Sequence, residues 1–188
     1  MRLVSWLGMT RVPLLLACVA LTLFALAACG DDDEQEAAAP QQTATATPAP
    51  AASGSIDVAA ISKDVETKPV VAKPKGEPPA ELQTTDIVRG KGEAAQPGDA
   101  VSVQYVGNSW STGAQFDASW DRGGEPFEFP VGAGQVIPGW DQGIPGMKPG
   151  GRRLLVIPPD LAYGAQSPSP DIAPNETLIF VVDLEKVG

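Results

Sequence analysis

The sequence contains no histidine, only two cysteines and few basic residues. Both cysteines, Cys18 and Cys29, lie near the N-terminus, so the usual zinc ligands and the usual bases of nucleophilic triads are missing from the rest of the chain. Thirteen lysines and arginines against 23 acidic residues give a net charge of −10. This balance argues against nucleic-acid binding, which needs a basic stripe, and indicates a soluble, self-repelling surface. No metal and no cofactor are predicted.

The first 28 residues have the pattern of an export signal. Arg2 and Arg11 precede an uncharged, mainly apolar run, residues 12–28, and the tetrapeptide LAAC ends at Cys29. LAAC resembles the lipobox of bacterial lipoproteins, in which the cysteine is diacylated and becomes the first residue after cleavage. An ordinary signal peptide and an uncleaved anchor helix are the alternatives, although a run of seventeen residues is short for a membrane span. The predicted location is therefore the extracytoplasmic side of the cell membrane, anchored by lipid.

Residues 29–65 are predicted to form a disordered tether. This stretch begins acidic and continues rich in alanine, threonine, proline and glutamine, so it buries too little apolar surface to offset its chain entropy. From about Glu66, short apolar pairs alternate with prolines, as expected of an extended segment that enters a domain at a sheet edge. Nine of the eleven aromatic residues lie between Tyr105 and Phe180. The folded domain is therefore assigned to residues 66–188.

Three segments of this domain have the pattern of β-strands. Apolar and polar residues alternate over 101–105, which is typical of a half-buried strand, and residues 152–158 are apolar enough for a central one. In the last segment, 177–187, alternation places four apolar side chains on one face: Leu178, Phe180, Val182 and Leu184. The strands and the turn-rich connections between them indicate a mainly antiparallel sheet.

The stretch VIPGWDQGIPGMKPGGRR, residues 136–153, predicts one short helix. Its apolar residues recur at intervals of three, four and three, which places them on one helical face: Ile137, Trp140, Ile144 and Met147. Pro138 suits the first helical position because its missing N–H has no partner there in any case, and Pro145 ends the helix after about two turns. A sheet with one helix against a face is an α+β fold.

Six motifs, in the order YVG, FDxS, PFxF, VIxGW, GMxxG and AYG, resemble those of FKBP-type peptidyl-prolyl cis-trans isomerases. The resemblance runs from about Asp86 to Val187. It implies a twisted antiparallel sheet of five or six strands wrapped around one short helix. It also implies an enzyme that speeds rotation about X–Pro bonds without a covalent intermediate, with proline-containing polypeptides and macrolides as ligands. Nothing in the sequence indicates an oligomer, so a monomer is expected.

The resemblance further implies a pocket that receives a proline ring. Asp117, Tyr105 and Tyr163 take the catalytic roles, and Arg122 is the expected ion-pair partner of Asp117. Trp140 is the implied floor of the pocket, and the backbone N–H of Ile137 is the implied donor to a ligand carbonyl. The implied substrate-binding residues are Phe116, Phe127, Val136, Ile137, Trp140, Ile172 and Phe180. Without the resemblance, the apolar members of this set also fit a plain hydrophobic core.

Two other functions stay open on the sequence alone. The pocket would also suit a membrane-tethered chaperone or adaptor that holds Pro-containing segments without turnover. The fold would also suit a secreted adhesin-like scaffold, because fold does not determine function. The joint presence of Tyr105, Asp117, Trp140 and Tyr163 favours catalysis, because a binding module needs only the apolar wall.

Overall fold

Residues 54–188 are described by a computed structural model and form six strands and one α-helix. The predicted signal, Cys29 and the tether as far as residue 53 lie outside the described residues. The elements are β1 (Gln83–Val88), β2 (Ala100–Ser109), β3 (Gln115–Ala118), β4 (Phe127–Pro130), α1 (Pro138–Gly143), β5 (Gly151–Ile157) and β6 (Leu178–Val187). Over this range no helix combines the length and the hydropathy that a bilayer crossing requires.

All strand pairs of the sheet are antiparallel, in the order β1-β5-β6-β2-β3. The sixth strand, β4, also pairs with β2, on the stretch that contains Val101 opposite Phe129. Since β3 pairs with a later stretch, where Gly107 lies opposite Asp117, two short strands share β2 as a partner. A six-stranded antiparallel sheet with one short helix confirms the predicted α+β class.

Helix α1 lies against one face of the sheet, which we call the front face. It begins at Pro138, as predicted, and ends at Gly143, shortly before Pro145. A Cβ atom on Gly139 would lie 2.4 Å from Cγ2 of Ile157, so only glycine lets the helix approach β5 this closely. The predicted apolar face is buried against the sheet through Trp140, Ile144 and Met147.

The opposite, back face of the sheet is covered by residues 54–82, which we call the N-terminal arm. Ile61 is only 2% exposed and packs in a second apolar cluster with Val71, Trp110 and Ile179. Two parts of the arm are joined by backbone hydrogen bonds. The N–H of Gly54 donates to the carbonyl of Glu77 at 2.6 Å, and Ser55 forms an antiparallel bridge with Lys75.

The ordered arm revises the boundary predicted for the folded domain. Residues 54–65, assigned from the sequence to the disordered tether, pack against the sheet and include a short 3-10 helix, Val58–Ala60. The physical reason is that β5 and β6 are apolar on both faces, so the back face also needs a cover. The folded part therefore begins at least twelve residues before residue 66.

One buried ion pair fixes the arm to the sheet. Arg152, which is 0% exposed, donates from Nε and Nη2 to the carboxylate of Asp183 at 2.5 and 2.7 Å. Its remaining donors reach the arm, where the carbonyls of Ser62 and Thr67 accept at 2.6 and 2.9 Å. Four of the five guanidinium N–H groups are thereby paired, as a buried charge requires, because an unpaired buried charge is strongly unfavourable. The arm thus supplies part of the environment that makes this ion pair stable.

Candidate active site

A cavity of about 410 Å³ opens on the front face of the sheet. Its size is within the range of protein pockets that bind small molecules. The strands, α1 and the loops beside them contribute its lining: Tyr105, Phe116, Asp117, Phe127, Gln135, Val136, Ile137, Trp140, Tyr163 and Phe180. The structure therefore brings nine of the ten residues predicted for the site into one cavity.

Trp140 lies at the centre of an aromatic cluster within this lining. Its ring centroid is 5.2 Å from those of Tyr105 and Phe180, both nearly perpendicular to it, and 6.2 Å from that of Phe127. Edge-to-face contacts of this kind hold aromatic rings in fixed orientations. Trp140 is packed in the hydrophobic core and also forms part of the cavity wall. The same side chain therefore contributes to both the core and the pocket.

A charged network adjoins the aromatic cluster. The hydroxyl of Tyr105 donates to Oδ2 of Asp117 at 2.5 Å, and Nη2 of Arg122 donates to the same hydroxyl at 2.7 Å. Nη1 of Arg122 donates to Oδ1 of Asp117, so the predicted ion pair is present. The guanidinium also lies over the Tyr105 ring, 5.4 Å from its centroid. These contacts give the Asp117 carboxylate one defined orientation at the pocket wall.

Both tyrosine hydroxyls of the pocket remain protonated at neutral pH. Burial and the hydrogen bond to Asp117 raise the pKa of Tyr105 above 10, although Arg122 opposes this shift. Burial and the nearby Asp117 charge raise the pKa of Tyr163 in the same direction. Tyr163 is 37% exposed, so this neutral hydroxyl belongs to a side chain that a ligand can reach.

The loop 131–137, between β4 and α1, forms the lip of the pocket. Asp141 holds this loop, because its carboxylate accepts the N–H groups of Gly132 and Gly134 at 2.8 and 2.9 Å. Both glycines have positive φ, 75° and 68°, which few other residues adopt. Within residues 54–188, the amide N–H of Ile137 donates to no protein acceptor. That donor is therefore available to a carbonyl group of a ligand.

The cavity lining differs from the predicted site at two residues. Ile172 is 5% exposed and belongs to the core cluster behind the pocket, not to the cavity lining. Its backbone is fixed locally, since its N–H donates to Ser169 and its carbonyl accepts from Ser167 Oγ, so it supports the loop after Tyr163. Gln135 lines the cavity although no motif singled it out, because only its place in the lip loop brings it there.

Metal ligands do not cluster anywhere in the described part of the chain: it contains no group of three or more suitable side chains. The groups that this cavity offers to a ligand are its aromatic wall, the hydroxyls of Tyr105 and Tyr163, the Asp117 carboxylate and the backbone N–H of Ile137.

Known protein families and solved structures resemble this chain. The family described as FKBP-type peptidyl-prolyl cis-trans isomerase matches residues 91–185. An FK506-binding protein of Streptomyces anulatus is 60% identical over 121 residues, which cover 64% of this chain and 97% of the relative. A probable FK506-binding protein of Corynebacterium glutamicum is 46% identical over 62% of this chain and 96% of its own. The crystal structure of FkpA from Escherichia coli matches with a TM-score of 0.50 and 45% identity, over 56% of this chain and 47% of that one. The chain therefore belongs to the FKBP-type peptidyl-prolyl cis-trans isomerase family.

Proposed function

We propose that the front-face pocket binds the proline of an X–Pro segment and accelerates rotation about the bond before it. The observation that carries this proposal is the combination of an aromatic cavity with the oriented Asp117–Tyr105–Arg122 network in its wall. The aromatic part matches an apolar ring, and the polar part matches the amide that precedes it.

Catalysis of this rotation needs no nucleophile. The barrier of about 18–20 kcal/mol comes from amide resonance, and uncatalysed X–Pro rotation takes tens to hundreds of seconds. The planar amide is partly charge-separated, and water stabilises that form. A cavity walled by Trp140, Phe116 and Phe180 excludes water and thereby disfavours the planar amide relative to the twisted one. Only interactions that favour the twisted geometry more strongly raise the rate.

Three groups are placed to hold the substrate while the bond turns. The free N–H of Ile137 binds a substrate carbonyl at the lip, and the Tyr163 hydroxyl donates from the rim. Asp117, held in place by Tyr105 and Arg122, supplies the electrostatic contribution at the amide itself. Substrate backbone on either side of the proline is thereby anchored, and the rotating peptide group stays in the apolar region.

We also propose that the enzyme acts outside the cytoplasmic membrane, attached by lipid on Cys29, where exported proteins are its substrates. The sequence supports this location through the apolar run and the LAAC tetrapeptide that follow Arg2 and Arg11. The pocket is further proposed to bind FK506, because the 60% identical relative is named for that ligand. FK506 is then expected to compete with X–Pro substrates.

A proline-isomerisation assay on a Leu-Pro peptide tests the proposal with the full chain. Asp117→Ala is expected to lower kcat/KM about ten-fold or more, the effect of losing one hydrogen bond to a charged group. Glu128→Ala serves as the matched control, because this exposed carboxylate on β4 is not part of the cavity lining. Circular dichroism of each variant checks that the fold is retained.

Two outcomes would contradict the proposal. Activity at the parental level in Asp117→Ala combined with Trp140→Ala would show that catalysis does not occur in this pocket. A parent chain that binds the Leu-Pro peptide without accelerating its isomerisation would instead be a binding module, the alternative function of the same cavity.

A further inference from the structure

An ion pair connects the N-terminal arm to the turn that carries Arg122. Nζ of Lys68 donates to both carboxylate oxygens of Asp121, at 2.6 and 2.8 Å. Asp121 also accepts from Nε2 of Gln115, on β3, at 2.8 Å. These two donors lower the pKa of Asp121, so it stays ionised and paired at neutral pH. A residue of the arm thus binds the immediate neighbour of Arg122, which in turn pairs with Asp117 and Tyr105.

The backbone of the arm is held in place on both sides of Lys68. The preceding residue, Thr67, is held through its carbonyl by the wholly buried Arg152. The following residue, Pro69, is itself buried, and proline restricts the backbone further. Although the Lys68 side chain is partly exposed, its backbone is therefore anchored on both sides to the back face of the sheet.

The turn that carries Arg122 is held at its start and just beyond its end. It is a 3-10 helix, Ser119–Arg122, whose first residue is buried and whose hydroxyl accepts the N–H of Tyr105 at 2.9 Å. At its other end the chain continues through Gly123 and Gly124, both with positive φ and with space around their Cα atoms. Just beyond the turn, Nε2 of Gln104 donates to the carbonyl of Gly124 at 2.6 Å. Between this bond and Ser119, the contacts of Asp121 with Lys68 and Gln115 help to hold the later part of the turn.

We infer that Lys68 is a positioning residue for the active site: through Asp121 it holds the turn that keeps Arg122 on Asp117 and Tyr105. This inference rests on the proposed role of Asp117. Since the family match begins at residue 91, the contact adds a segment from outside that match to the catalytic unit. The arm is then part of the enzyme's working site, and not only a cover for its back face.

The inference predicts a small, salt-sensitive loss of activity. In the full chain, Lys68→Met is expected to lower kcat/KM about two- to four-fold at low ionic strength, the range for a partly exposed pair. The difference in kcat/KM between wild type and variant should shrink as the salt concentration is raised from about 0.01 M to about 1 M, because salt screens such ion pairs. Lys68→Arg should restore most of the activity. Lys63→Met is the matched control, because it removes an exposed charge from the same arm.

A double-mutant cycle separates positioning from general stability. If Lys68 acts through Asp117, Lys68→Met should cause no further loss of kcat/KM in an Asp117→Ala chain. An equal loss in that background, an equal loss in Lys63→Met, or unchanged activity of Lys68→Met would overturn the inference while the role of Asp117 stands. Undiminished activity of Asp117→Ala alone would overturn both.

Discussion

Replacing Arg152 by methionine tests how strongly the buried ion pair joins the arm to the sheet. Methionine keeps most of the apolar stem and removes the guanidinium, which makes all four hydrogen bonds of this site. The change leaves the carboxylate of Asp183, itself 3% exposed, without its partner. The carbonyls of Ser62 and Thr67 also lose their donors.

The expected loss of stability in Arg152→Met follows from the Asp183 carboxylate, which is left without a partner. Removing one partner of a buried ion pair costs about 3–5 kcal/mol, because the remaining charge stays in an apolar environment. That is a large part of the roughly 5–15 kcal/mol that stabilises a domain. When both charges are removed, as in Arg152→Met with Asp183→Leu, no buried charge is left, and an apolar pair of similar volume is often as stable as the ion pair. The double variant should therefore be clearly more stable than the single one.

Urea unfolding followed by tryptophan fluorescence measures the free energy of unfolding of the single and the double variant. Trp110 lies in the back-face cluster and Trp140 in the front-face cluster, so the two tryptophans report on both sides of the sheet. Arg89→Met is the control, because that side chain is 89% exposed and should cost little. A loss below about 1 kcal/mol for Arg152→Met, or a double variant as unstable as the single one, would refute the reasoning.

Two further outcomes concern pH and location. Between pH 6 and 8 kcat/KM should stay nearly flat, because the chain has no histidine and the pKa values of Tyr105 and Tyr163 are raised above 10; a steep slope in a pH–rate profile would contradict this. The stability that neutral Tyr105 contributes is complete below pH ~10 and is lost as pH rises through its raised pKa. For location, Cys29→Ala should move the protein from the membrane fraction to the soluble fraction, whereas continued attachment would indicate an anchor helix.

The elements of the front face were predictable from the sequence because their signals are local. The alternation that ends at Tyr105 and the spacing that includes Trp140 each lie within one element, and both residues lie on the predicted face. The pocket residues were implied only by the family resemblance that the ordered motifs carry, and the fold collects most of them from β2, β3, β4, α1 and β6. Such patterns need no knowledge of distant partners.

The arm was not predictable in this way, because its contacts span large sequence separations. Ile61 and Val71 are isolated apolar residues in a polar, proline-rich stretch, and their partners on β5 and β6 lie far along the chain. The arginine that holds the arm, Arg152, is separated by 90 residues from Ser62. The sequence could not distinguish the two positions open to Ile172, since burial in the core and exposure to a cavity require the same apolar side chain.

The position of β6 has a consequence for how this domain is made. It is the last of the six strands along the chain, yet it lies between β5 and β2 in the middle of the sheet. During synthesis, the earlier strands emerge without the strand that joins them, and pairing of β2 with β6 closes a long loop. The complete sheet therefore assembles only after nearly the whole domain has appeared. Until then its apolar strands are unpaired, which is a state that favours aggregation.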